Sequence, residues 1–177
     1  MNAGYGPIRQ LGYVVRDLEA AMAVWADKLR VGPWFHNPRL PLDEYRFRGV
    51  AYDGMDMGYA LANSGDMQIE LIQQRCDTPS LYREFLDRHG EGLQHVCVWP
   101  EDYDAMHARA RANGLVPAQE GRVAAIRFAY FEDVAGGGTS LEMSEMMPMR
   151  LPGIERIRAA AQQWDGCDPV RPYAIRR

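Results

Sequence analysis

Four side chains in this sequence have the types and spacing needed to bind one metal ion. Gln10, Glu70, His95 and Glu142 each lie in a short apolar segment of strand length. Gln10 and His95 each stand seven residues before an aspartate, whereas Glu70 and Glu142 each lie in the last strand-like segment of their half of the chain. Two carboxylates, an imidazole and an amide oxygen suit Zn²⁺, Mn²⁺, Co²⁺, Ni²⁺ or Fe²⁺. The pattern therefore predicts one divalent cation held by these residues.

The same pattern has a second interpretation. Side chains alternate between the two faces of a strand, and the four candidate ligands all lie opposite the aliphatic face. Antiparallel sheets commonly carry water-facing polar residues in such positions. A single histidine on a strand is also more often a structural residue than a ligand. Spacing alone leaves both interpretations open.

The strands that carry these residues belong to an internal repeat with a period of about 85 residues. Residues 8–33 and 93–117 each begin with an apolar run, continue with an acidic helix start at Asp17 or Asp102, and end at Gly and Pro. Strand-like runs follow at 45–52, 57–62 and 67–73 in the first half, and at 124–131 and 139–144 in the second. Both halves read β-α-β-β-β. We therefore expect an α+β fold in which two βαβββ modules pair into a curved, cup-shaped mixed sheet with the helices outside.

The chain is long enough for one domain with a substantial core and short for two. We expect this domain to span residues 1–145, with module 1 at about 7–75, a linker helix at 78–90 and module 2 at about 92–145. Residues 146–177 predict a C-terminal extension, with a helix over 153–164 and an irregular tail. No chemical motif is recognisable in this extension.

Composition narrows the possible partners. The net charge of −4 gives no basic surface for nucleic acid. No apolar run approaches the roughly 20 residues that span a bilayer, and the N-terminus lacks a secretory pattern. Cys76, Cys97 and Cys167 are an odd number without CxxC spacing, which favours reduced thiols over disulfides. We therefore expect a cytoplasmic protein that binds neither nucleic acid nor membranes.

Four segments resemble a known family, the vicinal-oxygen-chelate superfamily, and especially its glyoxalase I and methylmalonyl-CoA epimerase branches. They are IRQLGYVVRDLEAAMAVW, MQIELIQ, GEGLQHVCVW and YFEDVAGGGTSLEMSE, within residues 8–145. The family's metal ligands match Gln10, Glu70, His95 and Glu142. This ligand set resembles that of animal-type glyoxalase I, whereas the linker at 79–93 and the VGPW segment at 31–34 resemble epimerase-like proteins. The resemblance leaves both branches open.

The resemblance implies an isomerase or lyase that acts on a small α-oxygenated carbonyl compound, as an acyl-CoA epimerase or a glyoxalase I-like enzyme. Family members hold a divalent metal (Zn, Ni, Co, Mn or Fe) that stabilises an enolate or enediolate after proton abstraction. Glu142 would be the principal general base and Glu70 its counterpart, while His95 would only bind the metal. Homodimers are also expected.

Two alternative functions occur in the same superfamily. An extradiol-type dioxygenase normally uses two histidines and a carboxylate to bind iron, and Gln10 stands where the first histidine is expected. A non-catalytic binder of the bleomycin-resistance kind generally lacks the full ligand set, which the two glutamates here complete.

Overall fold

The fold was obtained as a computed structural model, which describes residues 4–40, 42–132, 134 and 136–173. Its helices are α1 (Leu18–Leu29), α2 (Leu81–His89), α3 (Tyr103–Ala112) and α4 (Leu151–Gln162), with a 3₁₀ turn at Pro148–Arg150. Its strands are β1 (Ile8–Val14), β2 (Trp34–Asn37), β3 (Leu42–Phe47), β4 (Val50–Ala51), β5 (Met57–Ser64), β6 (Met67–Gln74), β7 (Gly92–Val98), β8 (Pro117–Val123), β9 (Ile126–Phe131), β10 (Ser140–Ser144) and β11 (Val170–Pro172).

All of these strands form one curved sheet in the order β11-β2-β5-β6-β1-β7-β10-β9-β8-β3-β4. The first strands of the two modules, β1 and β7, pair antiparallel at its centre. Each pairs in parallel with the last strand of its own module, β6 or β10. The predicted α+β fold with a mixed sheet is therefore confirmed.

The helix starts follow the aspartates that the repeat singled out. The carboxylate of Asp17 accepts a hydrogen bond from the backbone N–H of Ala20, and that of Asp102 accepts one from Ala105, both at 3.0 Å. Each bond satisfies a donor that a first helical turn leaves unpaired. The helices after β1 and β7 thus begin in equivalent places, which keeps the two modules in matching register.

The prediction of a module 1 strand over 45–52 was wrong. These residues lie in the hairpin of β3 and β4, which pairs with β8 of module 2 at the far edge of the sheet. The strand that completes module 1 is β2, only four residues long. The polar segment QEGR at 119–122 lies in β8, a strand that the hydrophobic pattern also missed. Both errors arise because strand pairing, and not apolar alternation within each segment, fixes these strands: β3 pairs with the distant β8, and β8 pairs with β9 as well.

The C-terminal extension is more ordered than predicted. Helix α4 packs on β5, and its Ile157 is buried in the core cluster that also contains Met57 and Tyr59. The segment predicted as an irregular tail contains β11, which pairs in parallel with β2. Residues 174–177 of that tail lie outside the described residues. The extension therefore closes one side of the cup.

Within the described ranges, no helix combines the length and apolarity needed to cross a bilayer.

Candidate metal centre

The two central strands place the candidate ligands opposite one another. Gly12 on β1 pairs with His95 on β7 on one side and with Glu70 on β6 on the other. Two residues further along β7, Cys97 pairs with Glu142 on β10. Residues paired in this way share one face of the sheet. The sheet register therefore brings one histidine and two glutamates to a common point inside the cup.

Three ligand atoms converge at that point. Nε2 of His95 lies 3.2 Å from Oε2 of Glu142 and 3.4 Å from Oε2 of Glu70. One ligand atom from each residue lies within 4.8 Å of the other two, as a shared cation requires. His95 has no exposed surface, and Glu142 is buried. The structure thus brings together three of the four residues that the sequence singled out as metal ligands.

Two of these atoms are buried without a hydrogen-bond partner among the described residues. They are Nε2 of His95 and Oε2 of Glu142. The two atoms lie 3.2 Å apart as a potential ion pair but without hydrogen-bond geometry. A buried polar atom without a hydrogen bond costs about 1–3 kcal/mol, and a ligand that binds both atoms would offset this cost. A divalent cation fits this donor set, because imidazole nitrogen and carboxylate oxygen are its ordinary ligands.

The other ring nitrogen of His95 has a defined partner. Nδ1 lies 2.9 Å from Oε1 of the buried Gln94, whose Nε2 in turn donates to Oγ of Ser140 at 3.3 Å. In the neutral ring, an N–H on Nδ1 can donate to this amide oxygen, which leaves the Nε2 lone pair for a cation that the carboxylates also bind. Sequence reasoning missed this contact, because Gln94 immediately precedes His95 and lacks any ligand-like spacing.

Gln10 lies in the same cavity, one row further along the sheet. It pairs with Gln68 on β6 and with Cys97 on β7, and it is buried. Its side-chain Nε2 donates to Oε1 of Gln68 at 2.9 Å. This bond orients the Gln10 amide and leaves its oxygen as the atom that could bind a cation.

Gln10, Glu70 and Glu142 line a cavity of about 550 Å³, and the fully buried His95 contacts both glutamates from outside this lining. Most of its wall is apolar and includes Leu61, Ile72 and Phe128, with Ile154 and Ile157 contributed by α4. A concave apolar pocket with a few convergent polar groups is the usual form of a small-molecule site. The cavity is therefore large enough for a small organic substrate above the ligand cluster.

The charges in the cluster move the pKa values of its members in different directions. Burial raises the pKa of Glu70. Burial also opposes ionisation of Glu142, but its contact with His95 outweighs this effect and lowers the pKa. For His95, burial disfavours the charged form, yet contact with Glu142 and Glu70 raises the pKa to about 9. In the cation-free protein, His95 is therefore protonated at neutral pH.

Two tyrosines lie against the cluster, and sequence reasoning missed both as site residues. Tyr130 on β9 pairs with Glu142, and its ring stands edge-on to His95 at a centroid distance of 5.0 Å. Its hydroxyl receives a hydrogen bond from Tyr82 on α2 at 3.0 Å. Burial raises the pKa of both phenols well above the ordinary value, which keeps them as neutral donors. The linker helix thus contributes to the cavity as well as connecting the modules.

The fold and this cluster define the class of protein. Residues 9–131 match the sequence profile of the Glyoxalase/Bleomycin resistance protein/Dioxygenase superfamily. This match covers more than half of the chain, so the chain belongs to that superfamily. The resemblance to the vicinal-oxygen-chelate superfamily is thereby confirmed.

Solved structures show the same fold at low sequence identity. Methylmalonyl-CoA epimerase from Mycobacterium tuberculosis is 24% identical, with a TM-score of 0.55 over 82% of this chain and 91% of its own. A single-residue variant of the Streptomyces coelicolor methylmalonyl-CoA epimerase, in complex with 2-nitronate-propionyl-CoA, is 18% identical, with a TM-score of 0.53 over 82% and 97%. A hypothetical protein from Bacillus halodurans is 16% identical, with a TM-score of 0.54 over 80% and 94%. No curated protein matches this sequence.

Proposed function

We propose that this protein is an isomerase or lyase, dependent on one divalent cation, that moves a proton next to the carbonyl of an α-oxygenated substrate. The observation that carries the proposal is the convergence of His95, Glu70 and Glu142, with two unsatisfied buried atoms, at the base of an apolar cavity. Superfamily membership and epimerase neighbours support this reaction class. An acyl-CoA epimerase and a glyoxalase I-like enzyme are its two specific forms.

Each residue has a distinct role in this proposal. His95 would bind a Zn, Ni, Co, Mn or Fe ion through Nε2, with Glu70, Glu142 and the amide oxygen of Gln10 as the other ligands. The bound cation would supply electrostatic stabilisation, worth several kcal/mol, for charge that develops on the substrate carbonyl oxygen. His95 itself takes no proton from the substrate in this scheme.

The two glutamates would handle the substrate proton. Glu142 would be the general base and Glu70 its counterpart, because the two glutamates lie on the equivalent last strands of the two modules. Glu70 lies across the cluster on the equivalent strand of the other module, where it could return the proton to another face or atom of the substrate. The apolar walls would exclude water, which otherwise competes for that proton.

The first test is the metal content of protein purified without a histidine tag. The proposal requires close to one divalent ion per chain. Proton exchange is then followed by NMR in deuterated water, with a panel of acyl-CoA thioesters and glutathione hemithioacetals. Glu142→Gln should lower the exchange rate by at least about a hundredfold, while Glu132→Gln, the same change at an exposed position, should leave it unchanged.

Other outcomes of the same measurements would reject the proposal. Binding of panel compounds with neither cation nor exchange would favour a non-catalytic binder. Oxygen consumption with catechols would favour a dioxygenase. Sedimentation of the purified protein separately tests the expected homodimer.

A further inference from the structure

The C-terminal segment changes the character of the cavity. About a fifth of this chain lies outside the superposition with each of the epimerases described above, whereas those chains are covered almost completely. Residues 148–173 also lie beyond the part that matches the superfamily profile. Yet this segment lines the cavity with Arg150, Ile154, Arg156, Ile157 and Tyr173. The superfamily profile, which ends at residue 131, does not include this part of the wall.

Two of these wall residues are arginines, and neither has a carboxylate partner within the described residues. Arg150 donates from Nη1 to the backbone oxygens of Ser144 and Glu145, and its guanidinium lies 5.3 Å from the ring centroid of Trp99. These contacts hold its guanidinium against the end of β10, whose last residue, Ser144, lies two residues beyond Glu142. They leave its positive charge without an ion pair to an acidic side chain.

Arg156 is held by aromatic rings at the rim. Its guanidinium lies 4.8 Å from the centroid of Phe35 and 5.8 Å from that of Tyr173. By contrast, Arg158 on the same helix lies outside the cavity lining and is paired with Asp66 at 3.8 Å. A guanidinium stacked on aromatic rings keeps its edge free to bind a carboxylate or phosphate with two hydrogen bonds.

The charges around the cavity also favour an anionic ligand. A divalent cation would offset Glu70 and Glu142 at the base of the cavity, which leaves the guanidinium charges of Arg150 and Arg156 on the part of the wall formed by the C-terminal segment. An anionic group on the ligand would complement them, while the aliphatic and aromatic residues of the wall would contact an apolar body.

We propose that the C-terminal segment makes this cavity selective for α-oxygenated carbonyl compounds that have an apolar body and a carboxylate, which Arg156 and Arg150 bind. This inference rests on the proposed function for the carbonyl end of the ligand. The segment that selects the ligand is then separate from the shared module strands that carry the reacting groups.

A matched pair of ligands tests it. The probes are α-hydroxyacetophenone with a para-carboxylate and the same compound with a para-carboxamide, which has nearly equal size and no charge. Calorimetric titration of the full chain with Zn²⁺ should give at least about tenfold tighter binding of the carboxylate. Arg156→Gln should reduce that ratio to below about threefold, and Arg150→Gln should reduce it as well, whereas Arg158→Gln should leave it unchanged.

Three results would overturn the inference. They are equal binding of the two probes, no binding of the carboxylate probe, and a ratio of affinities that is unchanged in both Arg156→Gln and Arg150→Gln. Circular dichroism and thermal melts establish that each variant is folded. The titrations are repeated without Zn²⁺, where the loss of the positive charge of the cation should reduce the preference for the carboxylate. Failure of the proposed function would instead show as missing cation and missing proton exchange, with a ratio between the probes that still falls in Arg156→Gln and not in Arg158→Gln.

Discussion

Gly12 and His95 face one another across the central strand pair, and the imidazole occupies the space that a side chain on Gly12 would fill. A methyl group on Gly12 would lie 1.8 Å from Cε1 of His95 and 2.0 Å from Nε2. The requirement for glycine here comes from this close approach. The ring can therefore lie flat across β1 and present Nε2 to the two glutamates.

Gly12→Ala should displace the imidazole. We expect a loss of about 1–3 kcal/mol in the free energy of unfolding, together with loss of stoichiometric cation binding. Chemical denaturation and metal analysis measure the two effects. In the double variant Gly12→Ala, His95→Ala the clash is absent, so the two single losses should not add. If the two losses in unfolding free energy were strictly additive, the contact between Gly12 and the imidazole ring would have no effect on stability.

Gln94 should control cation affinity without binding the cation. Replacing it with leucine removes the acceptor for Nδ1 of His95, so the ring loses its fixed tautomer and orientation. We expect Zn²⁺ affinity to fall by roughly 10–100-fold, measured by competition with a chromophoric chelator. Ser140→Ala, which removes only the more distant contact, should have a smaller effect. Equal affinity in Gln94→Leu and the parent protein would show that the contact is incidental.

Cation binding should release protons. His95 has a pKa of about 9 in the cation-free protein, so it is mostly protonated at pH 7 and must become neutral to bind through Nε2. Affinity should therefore rise from pH 6 towards pH 9, by roughly tenfold per pH unit for each proton released. Calorimetry in buffers of different ionisation enthalpy counts these protons, with His107→Ala as a control outside the cluster. A pH-independent affinity over that range would contradict the prediction.

The C-terminal helix should contribute strongly to stability. Ile157 is 1% exposed and packs into the cluster that lines the cavity, so Ile157→Ala leaves a void there. We expect a loss of about 2–5 kcal/mol in the free energy of unfolding. Leu151→Ala, on the same helix but 45% exposed, should cost less than about 1 kcal/mol. Similar losses for the two variants would mean that α4 is not anchored through Ile157.

The sequence pattern was sufficient to predict the elements that the internal repeat contains in both halves. Equivalent spacing before Asp17 and Asp102 placed Gln10 and His95 on paired central strands, and the structure brings His95 together with both glutamates. The role of all four as metal ligands stays a prediction, as do the domain boundary at residue 145 and the cytoplasmic location. The site roles of Gln94, Tyr130, Arg150 and Arg156 could not be predicted. These roles depend on which side chains meet in the folded cavity, and such contacts leave no periodic pattern in the sequence.

The crossover of the β3–β4 hairpin, from module 1 to the outer edge of module 2, makes the two halves of this duplicated chain interdependent. Severing the chain between α2 and β7 would leave the second half without the strand that covers β8, and its backbone hydrogen-bonding groups would be open to water or to another chain. The first half would carry a hairpin with no sheet to join. We therefore expect the duplicated chain to unfold as one unit, with a ligand cluster that needs Glu70 from the first half and His95 and Glu142 from the second.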